Sequence, residues 1–167
     1  MARLGATLVV LVAMAVAPAF DATASDRTNV RLLVDSERRR VAQVLEGAAR
    51  RVEASGCTAV FTTFTDRSGR PLAEALAASG GSASAYLDAI LFYDGKHDER
   101  CGQKWILAVT IPGIRLVKIC PAFHAMSRSD PEQAEAILIH EALHTLGLGE
   151  NPPSSREITE QVLKHCR

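Results

Sequence analysis

The stretch that most restricts how this chain can fold is His140-Glu141-Ala142-Leu143-His144, set in an apolar run from Ile137 to Leu148. On a helix, residues four apart lie one turn apart on the same face. His140 and His144 can therefore point two imidazoles at one metal ion, with Glu141 beside them. Zinc takes imidazole nitrogen at about 2.0–2.1 Å, and a catalytic zinc keeps three protein ligands plus a water. A surface helix carrying two histidines by chance is the bland competitor. Here the flanking residues are apolar, so the helix reads as buried, and two buried histidines with a carboxylate between them are costly without partners.

A third ligand must come from elsewhere. Gly147 follows the last turn and can take the left-handed conformation that ends a helix. The chain then reverses and brings Glu150 back toward the histidines. Glu157 and Glu160, on the next segment, are the alternatives for this role.

The spacing His140-x-x-x-His144-x-x-Gly147-x-x-Glu150 resembles the extended zinc-binding motif of the metzincins. Those proteins carry histidine where this chain has Glu150, and the snapalysin-like proteases carry aspartate. A carboxylate there is acceptable to zinc. The resemblance implies one catalytic Zn2+ held by His140, His144 and Glu150, with Glu141 as general base in peptide-bond hydrolysis. Metzincins also place a methionine turn below the metal. No methionine follows Glu150, and the last helix is expected to form that floor instead.

Residues 1–24 read as a secretory signal peptide, with Arg3 at its start and a short apolar run from Leu8 to Val16. That run is too short to span a bilayer. Small residues at 17–19 and 22–24 offer cleavage sites, and the second is preferred. Residues 25–167 then make a single domain, secreted or periplasmic and taken as a monomer. Lys+Arg and Asp+Glu both number 19, for a formal net charge of zero. This balance argues against nucleic acid or a charged membrane surface as the main partner.

Four cysteines, Cys57, Cys101, Cys120 and Cys166, suit two disulfides in an exported chain. Three pairings are possible. Cys101–Cys120 is favoured because the segment between them reads as one hairpin, which leaves Cys57–Cys166. The spacings lack a close Cys-x-x-Cys pair of the kind that binds zinc.

Asp35-Ser36 reads as the cap of a helix running to about Ser55. Val41, Val44, Leu45, Ala48 and Val52 lie at helical spacing on its inner face, and the arginines at 38–40 and 50–51 take a solvated one. Residues 57–64 are rich in β-branched and aromatic types and read as a strand. Residues 66–71 form a loop before a short helix over 72–78. Residues 86–93 read as a strand, and His97 lies in the polar loop after it. Two more strands, 105–111 and 114–120, flank the Pro112-Gly113 turn. Residues 121–129 lead to the histidine helix, which Asp130, Pro131 and Gln133 start by capping. Ser155 caps a final helix over 156–165, with Ile158 and Val162 inward.

The strand ending in Cys120-Pro121-Ala122-Phe123 ahead of the His-Glu-x-x-His helix also resembles the aspzincins, which supports pairing Cys101 with Cys120. Their Gly-Thr-x-Asp ligand motif is absent. The likeness to zincins covers about residues 86–150.

The expected architecture is α+β and zincin-like: a small mixed twisted sheet packed on the active-site helix, with N- and C-terminal helices. The expected function is a secreted zinc metallopeptidase acting on a peptide or protein substrate. An edge strand, from residues 87–93 or the 105–120 hairpin, would align the peptide by backbone hydrogen bonds. A second donor to the oxyanion is sought among Tyr86, Tyr93, His97 and His124. The alternatives are an amidase acting on a non-protein substrate, and a non-catalytic secreted zinc-binding or disulfide-bonded interaction domain.

Overall fold

Helix α1 (Asp35–Val52) forms because its apolar residues recur at helical spacing. Val41, Val44, Leu45, Ala48 and Val52 are buried as expected, and Asp35 and Glu37 begin a helix that Arg50 and Arg51 end, which suits the helix dipole. In the computed structural model, which describes residues 27–167, this helix lies against the helix that carries the histidines. The expected signal segment lies outside the described residues. The helix starts at Asp35, with Val34 in the capping position, and ends at Val52, three residues earlier than expected.

The remaining elements are β1 (Val30–Arg31), α2 (Thr58–Thr63), α3 (Leu72–Ala78), α4 (Ala83–Asp88), β2 (Leu91–Asp94), β3 (Ala108–Thr110), β4 (Leu116–Ile119), α5 (Pro121–Ser129), α6 (Pro131–Thr145) and α7 (Ser155–His165). Short 3-10 turns occupy Ser55–Cys57 and Glu99–Gly102. Seven helices and one small mixed sheet thus make the described residues α+β. The strand order is β1-β2-β4-β3. The β1–β2 and β2–β4 pairs are parallel, and β3 runs antiparallel to β4 with Val109 opposite Lys118.

Three expectations are corrected. Residues 57–64 form a 3-10 turn and α2, not a strand. Their buried members are Cys57, Val60, Phe61 and Phe64, which is helical spacing, and this burial outweighs the β propensity of the threonines and valine. Residues 86–93 are strand only from Leu91. Before that, the Ser82 hydroxyl accepts from Ala85 N and starts α4, which buries Tyr86 and Leu87. Residues 121–129 are helix α5 rather than a lead-in loop, with Pro121 in its first turn.

The buried apolar residues form one contiguous core. Phe92, Val117 and Ile119 come from the sheet, Leu45 from α1, and Leu138, Ile139 and Leu143 from α6, all 0–1% exposed. Two disulfides, Cys57–Cys166 and Cys101–Cys120, carry the favoured pairing. The first ties α7 to the start of α2. The second ties the turn at 99–102 to the end of β4. Among the described residues, no helix is long and apolar enough to cross a membrane.

Candidate metal centre

Asp130 starts α6 by accepting from Gln133 N at 3.0 Å, with Pro131 in the first turn. From Leu138 to Thr145 every residue of this helix is buried. His140, Glu141 and His144 are therefore polar groups in an apolar setting, at 3%, 7% and 6% exposure. Each needs a partner.

The helix ends as a Schellman motif. Gly147 N donates to His144 O and Leu148 N donates back to Leu143 O. Gly147 takes φ +112°, which glycine reaches at no cost in sterics. This turn does two things for His144. It sets Leu148 O 2.8 Å from His144 Nδ1, and it returns the chain so that Glu150 Oε1 lies 3.2 Å from His144 Nε2 and 3.5 Å from His140 Nε2.

The second histidine is oriented from α7. His140 Nδ1 lies 2.8 Å from Thr159 Oγ1, and that hydroxyl donates to Ser155 O at 3.1 Å. With the hydroxyl proton committed there, Thr159 accepts from His140 Nδ1–H. Leu148 O can only accept, so His144 also carries its proton on Nδ1. Both Nε2 atoms then present lone pairs to each other across 3.0 Å. Glu150 adds a carboxylate oxygen. Burial pushes the His144 ring down and favours its neutral form.

Three acceptor atoms thus converge with no donor among them. That is unfavourable unless a cation sits between them. Three ligand atoms of a tetrahedral zinc site are roughly 3.3–3.4 Å apart, and the separations here are 3.0, 3.2 and 3.5 Å. The donor set, two imidazoles held from behind by the fold and a carboxylate, fits zinc. It also suits ferrous iron.

Glu141 is the fourth polar group. Burial pushes its carboxyl up to about 7, the nearby Glu150 charge adds to this, and Arg100 opposes it. A carboxyl with that value is matched to proton transfer near neutral pH.

These side chains line a cleft of about 550 Å³, whose opposite side is β3. Leu107 O accepts from Cys120 N, and Val109 lies opposite Lys118. Alternation along an antiparallel pair then turns the backbone groups of Ala108 and Thr110 away from β4. They form an open edge along the cleft. The hairpin tip is held to α6 by Gly113 N, which donates to His144 O at 2.9 Å.

Of the third-ligand candidates, the structure brings Glu150 to the histidines. Glu157 closes a capping box with Ser154, one residue before the expected cap, and Glu160 pairs with Arg156 at the surface. None of Tyr86, Tyr93, His97 and His124 lines the cleft. Tyr86 is buried against Thr145, and His124 faces Glu37. Arg67, Arg100 and Trp105 line it instead, and none of the three belongs to a site motif in the sequence. The one available signal was that Arg100 precedes a bridged cysteine. Of the two possible edge strands, β2 is internal and β3 is the edge. Comparison with protein-family models, with curated proteins and with solved structures finds no match to this chain.

Proposed function

We propose that the protein is a zinc-dependent peptidase of the zincin type. The observation that carries this is the convergence of His140 Nε2, His144 Nε2 and Glu150 Oε1, with both histidines oriented by Nδ1 contacts. When bound, zinc supplies a Lewis acid and lowers the pKa of its water toward about 7. His140, His144 and Glu150 hold the ion. Glu141 would take a proton from the water as its oxygen bonds to the peptide carbonyl carbon, and would return that proton to the amine nitrogen as the C–N bond breaks. The open edge of β3 lays an extended peptide across the cleft by backbone hydrogen bonds. Glu141 favours a hydrolase over the ferrous-iron reading of the same donor set, since a buried carboxylate next to the two histidines and lining the same cleft is what a hydrolytic proton shuttle needs. Two disulfides suit an oxidising compartment, and we assign the protein to the secreted or periplasmic space.

The test is metal content with turnover. Elemental analysis of the purified protein is expected to give one zinc per chain, strongly weakened by Glu150→Ala. Glu141→Gln is expected to keep the zinc and lose hydrolysis of a casein or peptide-library substrate. Zinc without turnover on peptides or small amides would instead indicate the non-catalytic binding domain. Hydrolysis restricted to small amides would indicate the amidase. No zinc, even after it is added back, would sink the reading.

A further inference from the structure

We propose that the cleft recognises a carboxylate beside the reacting amide, on an acidic side chain or at a free peptide C-terminus, through Arg100, with Arg67 adding a second positive charge. This rests on the reading of the cleft as a substrate site.

Arg100 is presented to the cleft by a built support. Its Nε and Nη2 donate to Asp98 Oδ1 and Oδ2 at 2.9 and 2.8 Å. Lys118 Nζ contacts Asp98 Oδ2 at 3.0 Å. Two cations thus share one carboxylate, leaving the cluster with net positive charge. The Asp98 side chain is only 9% exposed, whereas that of Arg100 is 48% exposed, so the anion lies beneath and the guanidinium faces outward. Among the described residues, no acceptor takes Arg100 Nη1. Asp98 also caps the 99–102 turn, accepting from Arg100 N, and Cys101 is bridged to Cys120 at the end of β4. A guanidinium held in this way loses little freedom when it binds an anion.

Arg67 comes from a separate loop. Asp66 pins that loop by accepting from Ser68 N, Ser68 Oγ and Arg70 N, and a bridge pairs Asp66 with Leu148. The Arg67 stem lies over Gly149, where a Cβ would sit 3.6 Å from Arg67 Cγ and Nε. No carboxylate among the described residues pairs with Arg67. The acidic residues lining the cleft are Glu141 and Glu150, Glu150 set against the two histidines and Glu141 beside them on α6. Away from the histidines the charges on the cleft walls, Arg100 and Arg67, are positive, which favours a substrate carrying a negative one there.

Trp105 gives the test its readout. It is the single tryptophan, is 77% exposed and lines the cleft, so its fluorescence reports occupancy without turnover. The protein is Glu141→Gln, with and without one equivalent of zinc. The probes are two pairs of tryptophan-free peptides: Glu against Gln within an otherwise identical blocked sequence, and a free C-terminal carboxylate against its amide. The carboxylate member of one pair is expected to bind about tenfold more tightly than its neutral twin, and which pair shows this tells a side chain from a chain end. The ratio should persist without zinc, fall to a few-fold with Arg100→Lys, and approach one with Arg100→Gln. Arg67→Gln should lower it by a smaller factor. Equal binding within both pairs would overturn the proposal. So would a preference that survives Arg100→Gln and vanishes without zinc, since the carboxylate would then be on the metal. A preference that behaves as expected, in a wild-type protein that cleaves nothing, would support carboxylate recognition while removing the peptidase reading.

Discussion

Thr159 Oγ1 lies 2.8 Å from His140 Nδ1 and donates its own O–H to Ser155 O, so a side chain on the last helix fixes the tautomer of a histidine on α6. Replacing it tests whether that contact matters to metal binding. Thr159→Val keeps the shape and removes the acceptor. Loss of a partner behind a ligating histidine typically weakens binding by about 10–100-fold. Zinc affinity, measured by competition with a chromophoric chelator, should fall by that factor, with unchanged circular dichroism and rescue by Thr159→Ser. Unaltered affinity would show that the tautomer is set elsewhere.

Gly147 is the second point of leverage. Its φ of +112° disfavours any side chain, and a Cβ there would stand 3.0 Å from Asp66 Cβ. Gly147→Ala should cost about 1–3 kcal/mol in urea unfolding. It should also weaken zinc binding, because Leu148 O and Glu150 both reach the site through this turn. A variant as stable as the parent would mean that the backbone relaxes without strain.

Acid should expose the Asp98 cluster. Hydrogen bonds from Arg100 and then Lys118 hold the Asp98 carboxyl far below the usual carboxylate range. Its folded pKa therefore lies below the unfolded value of about 3.9. The resulting stabilisation is complete well above that value and is lost as pH falls through and below it. Between pH 5 and pH 2.5, the urea midpoint of the wild type should fall further than that of Asp98→Asn. Parallel pH curves for the two would remove Asp98 as a source of acid sensitivity.

What the sequence made legible was local. The His140, His144 and Glu150 grouping follows from one helical turn and one glycine reversal. The start of α6 follows from Asp130 and Pro131, and the inner face of α1 from five apolar positions. Residues 57–64 misled because β-branched composition and helical burial spacing pointed to different elements, and contacts with the rest of the core decide between them. The helix α4 was hidden because its Ser82 cap directly follows Gly80-Gly81, residues that favour a turn over a helix start. Thr159, Arg67 and Arg100 carry no motif of their own. Their roles arise from segments 19 or more residues from His140 in the chain, brought together by packing and by the Cys57–Cys166 and Cys101–Cys120 bridges.

The bond from Gly113 N to His144 O has a mechanical consequence. It rivets the tip of the β3–β4 hairpin to the end of α6, so the edge strand and the turn that leads to Glu150 are held together at that point. Any widening of the cleft must swing about this rivet, as a jaw does about its joint. A swing about this point would open the cleft least beside His144 and most toward Trp105, in the turn that precedes β3.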